Sequence, residues 1–117
     1  MSPGIQGLGE FEQMVLLAIL HVGKLTDGEA YGVPIVEEIE RRTGRTVSRA
    51  AVYVTLRRLE KRGLVVSWMS EPTGERGGKA RRCVRVELSG LDLLRESRRA
   101  MTRMWDDLDP EAVGGAL

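Results

Sequence analysis

Arg49, Tyr53, Arg57 and Lys61 follow one another at intervals of four residues, so on a helix they share one face. Arg58 and Arg62 flank the row. An arginine fork can pair with guanine O6 and N7, and a lysine or a tyrosine hydroxyl can hold a phosphate oxygen. A second basic group comprises Arg76, Lys79, Arg81, Arg82 and Arg85, with Gly74, Gly77 and Gly78 among them. A loop of that composition can approach the minor groove or its phosphates closely. This is the chemistry of holding a polyanion.

The charge distribution points the same way. The 117 residues carry 18 Lys and Arg against 17 Asp and Glu, a net charge of +1. Residues 1–40 stand at −6, residues 41–85 at +10 and residues 86–117 at −3. Each Lys or Arg that neutralises a phosphate releases condensed counterions, so a basic stretch between acidic flanks suits a nucleic acid. A solvated basic face is the bland alternative for Arg57, Arg58 and Lys61 taken singly, and the arrangement of the bases decides between them.

Other chemistries have few residues to work with. One cysteine, Cys83, and one histidine, His21, allow neither an internal disulfide nor a cysteine-based zinc cage. No metal or cofactor is expected. Glu10, Glu12, Glu37, Glu38 and Glu40 form no spaced acid–base pair, and no Ser-His-Asp, Walker or dinucleotide signature occurs. The chain reads as a non-enzyme. Cys83 in a strand is expected to be buried and inert; a redox role would need Arg82 and Arg85 to lower its pKa. His21 is expected at the surface or in packing. The longest apolar run, Met14 to Leu20, falls far short of the roughly 20 residues that span a bilayer. No signal-peptide pattern surrounds it, and a reducing cytoplasm is the expected setting.

The elements that must position these side chains follow from periodicity. Leu8, Phe11, Val15, Ile19 and Val22 recur at helical spacing, with Met14, Leu17 and Ala18 widening the stripe, and Gly23 is the expected stop. A second helix is expected from Tyr31–Gly32 to Thr43–Gly44, with Pro34 tolerated in its first turn. Its inner face carries Val36 and Ile39, with Val33 or Ile35 beside them. Ser48 caps a third helix that runs to Arg62 and ends at Gly63, with Val52, Leu56 and Leu59 inward. Strands at Leu64–Met69 and Arg81–Leu88 flank the glycine-rich turn Glu71–Lys79. The order is that of a winged helix-turn-helix: a mostly α fold with a small β-hairpin (α+β).

A last helix is expected over Ser89–Asp107. Leu91, Leu94, Arg98, Met101, Trp105 and Leu108 alternate spacings of three and four, a heptad-like seam with one polar member. A partner helix of a second copy is the preferred cover, making a homodimer; folding back on its own domain is the alternative. Trp105 is expected in this seam and Trp68 under the wing, both as hydrophobic anchors, with a small-molecule pocket between them as the alternative. The chain divides into a flexible tail (1–7), the DNA-binding domain (8–88), a dimerisation helix (89–108) and a second flexible tail (109–117).

The segments LGEFEQMVLLAIL, AYGVPIVEEIERRTG, VSRAAVYVTLRRLEKRGLV and ERGGKARR occur in this order. Together they resemble the PadR family of bacterial transcriptional regulators over about residues 8–90. The single short C-terminal helix resembles the family's smaller subgroup. The resemblance implies homodimeric regulators, mostly repressors, on palindromic duplex DNA operators, some released by small planar hydrophobic or aromatic effectors. The expected DNA-binding positions are Ser48, Arg49, Ala50, Tyr53, Arg57, Arg58 and Lys61 on the third helix, and Arg76, Lys79 and Arg81 in the wing. Cys83-Val84-Arg85-Val86-Glu87 departs from the family's usual aromatic second strand and moves the last helix's cap toward Glu87 or Ser89. The rival functions are a winged helix that meets an acidic protein, and an RNA binder, for which 4% aromatic residues provide no stacking platform.

Overall fold

Glu10–Leu25 form helix α1, the first element of a computed structural model that describes residues 7–26, 28–71, 80–108 and 111. The expected tails and the glycine-rich turn, with Arg76 and Lys79, fall wholly or mostly outside these residues. Glu12 accepts a hydrogen bond from the Gly9 N–H at 2.9 Å and so closes the first turn of α1. The helix continues through Gly23 instead of stopping there. One glycine costs a helix only about 1 kcal/mol against alanine, and the true end lies further on. The Thr26 hydroxyl donates to the Val22 carbonyl at 2.8 Å, and Gly28, in the left-handed region at φ 88°, donates its N–H to the Gly23 carbonyl.

Helix α2 spans Gly32–Thr43 and ends at Gly44, whose φ of 72° only glycine adopts without strain. Of the alternatives for its inner face, Ile35 is the buried one, beside Ile39; Val36 is half-buried. Helix α3 spans Arg49–Lys61, and the Ser48 hydroxyl accepts from the Ala51 N–H at 3.0 Å, which is the expected N-cap. Val52 and Leu59 are fully buried, Leu56 less so, and Thr55 is a buried polar member of the same face.

Strands β1 (Val65–Met69) and β2 (Arg82–Val86) pair antiparallel, with Val65 opposite Val86 and Met69 opposite Arg82. Ala30, just before α2, bridges to Val84 and ties the hairpin to the helical layer. Helix α4 runs from Leu88 to Trp105. Glu87 is its N-cap position but makes no side-chain cap, and Ser89 instead donates its hydroxyl to the Gly63 carbonyl at 2.6 Å. A Cβ on Gly90 would stand 2.6 Å from the Leu64 carbonyl oxygen, so a glycine is needed for α4 to cross this close to the hairpin. The core gathers Val15 and Leu16 of α1, Ile35 of α2, and Val52 and Leu59 of α3, with Val65 and Val84 closing it from the hairpin.

Candidate nucleic-acid interface

Burying Val52, Thr55 and Leu59 on one side of α3 turns the opposite side outward. Arg49, Ala50, Arg57, Arg58 and Lys61 are all exposed there, as is Ser48 at the cap. Among the described residues, the side chains of Arg49, Arg57, Arg58 and Lys61 make no hydrogen bond or ion pair. Tyr53 is 44% exposed, and its ring packs on Gly32 at the start of α2. The i+4 ladder therefore lies along open surface from the cap to the last turn.

Four other bases of the central segment, Arg41, Arg42, Arg45 and Arg62, are held by carboxylates. Arg62 is half-buried and pairs with Glu12 at 3.2 Å, and Arg45 pairs with Glu10 at 2.7 Å. Arg41 and Arg42 both hold the buried Glu38. The hydrogen bond from Arg42, then that from Arg41, keeps the Glu38 carboxyl below the usual carboxylate range. Arg45 does the same to Glu10, chiefly through its hydrogen bond. Glu40 accepts from the Val47 N–H at 3.0 Å and fixes the turn before α3. Glu10, Glu12, Glu38 and Glu40 thus brace the helix-turn-helix.

On the hairpin, Arg81 is exposed but engaged: it donates to the Tyr31 hydroxyl at 3.0 Å and lies 4.5 Å over that ring. Its backbone exchanges hydrogen bonds with Ser70. Arg82 donates to the Ser67 hydroxyl, which donates to Glu60 at 2.8 Å. Arg85 lies 5.7 Å over the half-buried Trp68. A crevice of about 370 Å³ separates α3 from the hairpin, with Tyr53 and Arg57 on one wall and Ser67, Arg82 and Val84 on the other. Arg57 of α3 and Arg82 at the wing's base therefore border the same crevice, whereas Arg81 and Arg85 do not line it.

Cys83 is 1% exposed. Burial pushes its thiol pKa up, with Glu29 adding to the rise, and the smaller opposing effects of Ser70 and Arg81 do not reverse it. Cys83 is thus buried as expected, and the redox alternative through Arg82 and Arg85 gives way to that burial. His21 is half-buried beside Met14, Ala18 and Glu38, in a packing position between α1 and α2.

The α4 seam divides in two. Leu94 is buried and Leu91 half-buried against the chain's own core, as in the fold-back alternative. Arg98, Met101, Trp105 and Leu108 are exposed, Met101 by 60% and Trp105 by 49%. Arg98, Met101 and Trp105 border an apolar groove of about 650 Å³ whose other wall is Leu17 and Leu20 of α1. Sequence reasoning missed this α1 wall. The signal was present: Met14 to Leu20 is apolar all round, more than one core-facing stripe requires. Trp68 does not line the groove.

Three helices, a tight turn before a basic third helix and a two-stranded wing define the winged helix-turn-helix class of DNA-binding regulators. The sequence profile of the Transcriptional regulator PadR-like family matches residues 19–96. A transcriptional regulator of Mycobacterium tuberculosis is 37% identical over 107 residues, covering 91% of this chain and 90% of that one. Among solved structures, a PadR family regulator from Eggerthella lenta superposes with a TM-score of 0.57 at 26% identity, covering 89% of this chain and 83% of that one. A PadR-like regulator from Bacillus cereus superposes at 0.62 with 20% identity, covering 80% and 82%, and shares the fold. The chain belongs to the PadR-like family of transcriptional regulators. It is a DNA-binding regulator of transcription and not an enzyme. No helix among the described residues is long and apolar enough to cross a membrane.

Proposed function

We propose that the protein is a sequence-specific repressor that binds duplex DNA as a homodimer and occludes a promoter in the cytoplasm. The observation that carries this reading is the unpaired cationic row on α3. Internal carboxylates take Arg41, Arg42, Arg45 and Arg62 and leave Arg49, Arg57, Arg58 and Lys61 to solvent. In this reading Ser48, Arg49, Ala50 and Tyr53 meet base edges and nearby phosphates, and Arg57, Arg58 and Lys61 grip the backbone. The wing, with Arg76, Lys79 and Arg81, reaches the flanking phosphates.

The open groove between α1 and α4 supports a two-fold partner. A second copy laying its own Met101, Trp105 and Leu108 against Leu17 and Leu20 would cover both exposed halves of the seam. Two-fold symmetry then sets palindromic half-sites about 10 bp or a multiple apart. The same apolar lining, with Trp105 in it, is the proposed seat of a small hydrophobic or aromatic effector that shifts the two reading heads.

A gel shift against competitor DNA tests the reading. A sequence-specific repressor retains its own promoter fragment in the presence of excess random duplex. Equal competition by both fragments would instead favour a winged helix that meets an acidic protein.

A further inference from the structure

The outermost strip of α3 in its first two turns is apolar. At about 100° per residue, the direction opposite Val52, Thr55 and Leu59 falls on Ala50, and Val54 follows one turn on, about 40° round the helix. Arg57 and Lys61 continue the strip, and Arg49 and Tyr53 lie to one side of it. Val54 is 48% exposed and shares a shallow depression with Arg57, Arg58 and Lys61. Ala50 is exposed as well.

A single exposed valine is ordinary. Its setting here is not. On helix propensity a solvent position favours Ala, Lys, Glu or Arg over a β-branched residue, and unpaired cations surround this one on the face that complements a polyanion. The strip also occupies the N-terminal half of a recognition helix, where side chains meet base edges. The apolar feature that a major groove presents there is the C5-methyl of thymine.

We propose that Ala50 and Val54 read thymine methyl groups, so that Val54 sets sequence preference while the neighbouring cations supply affinity. The proposal rests on the reading of α3 as the DNA-facing helix. Arg49 beside the strip would add a guanine, giving a half-site with one or two thymines under the middle of α3. Burying one methyl group against Val54 corresponds to about fourfold in affinity for each thymine contacted.

Bound duplexes are selected from a random pool with the full chain, and the selected duplex is remade with dU in place of each dT in turn. Wild-type protein loses about fourfold at one or two thymines per half-site and nothing at the others. Val54→Ser binds the dT and dU forms alike at the thymine that Val54 contacts, and keeps the wild-type salt dependence. Val54→Ala, the milder change, keeps part of the discrimination. Wild-type protein that binds every dU duplex as well as its dT parent overturns the proposal, as does Val54→Ser with undiminished discrimination. If no duplex is enriched, and Lys61→Ala leaves salt dependence unchanged, the reading of α3 falls and the thymine proposal falls with it.

Discussion

The ring of Tyr53 occupies the space a side chain on Gly32 would need: Cε1 and Cζ lie 2.6 Å from the position of a Cβ there. The glycine that opens α2 thus seats an aromatic residue of α3 and sets where the exposed edge of Tyr53 points. Gly32→Ala must displace that ring. Overpacking costs about 1–3 kcal/mol in closed sites, and the half-exposed ring puts this case at the low end, with a thermal midpoint lowered by about 4–8 °C. DNA affinity should fall with it. Tyr53→Ala combined with Gly32→Ala should recover the thermal midpoint but not the affinity, as read by calorimetry and fluorescence anisotropy.

Arg81 binds Tyr31 through both its guanidinium hydrogen bond and its stack, so part of its effect on DNA binding passes through the placement of the wing. Tyr31→Ala and Arg81→Ala should each weaken binding, and the double variant should be little weaker than the worse single one. A double-mutant cycle on a fixed duplex measures this. Effects that multiply would mean the two residues act independently.

Glu38 gives the fold an acid-side sensitivity. Its folded pKa lies below its unfolded one because Arg42 and Arg41 hydrogen-bond the carboxylate. The stabilisation is therefore fully present above the ordinary carboxylate range and is lost as pH falls through the folded pKa. Glu38→Gln should lower the thermal midpoint at neutral pH, and the gap to wild type should close in acid. A gap that stayed constant with pH would assign the loss to packing instead.

The exposed half of the α4 seam, Met101 and Trp105, faces Leu17 and Leu20 across an open groove. Placing carboxylates there should prevent its burial against a second copy. Met101→Asp with Trp105→Asp is expected to halve the mass seen by light scattering with an unchanged circular dichroism spectrum. A wild-type protein of monomer mass would refute the proposed dimer.

Much of the architecture was legible because it is decided locally. Ser48 satisfies an N–H three residues away and Gly44 and Gly63 take left-handed φ values, so the ends of α2 and α3 could be placed from the sequence. Gly23 misled because the same residue type also sits inside helices, and what ends α1 is the Thr26 hydroxyl and Gly28. Sorting the arginines was out of reach. Arg62 looks like a member of the basic face, yet its partner Glu12 lies 50 residues away, and Glu10 lies 35 from Arg45. Only the tertiary fold brings such pairs together. The outer wall of α1 was hidden for a related reason: an all-round apolar helix does not say which side is left for a partner.

The central claim, that α3 presents unpaired cations to a phosphate backbone, is tested most directly by the salt dependence of DNA binding. The slope of log K against log salt should fall by about 0.9 for each phosphate contact removed, so Arg57→Ala with Lys61→Ala should lower it by about 1.8. Arg62→Ala, whose guanidinium is held by Glu12, should cost stability and leave the slope unchanged. An unaltered slope in the Arg57, Lys61 variant, or an equal drop on losing Arg62, would contradict the account.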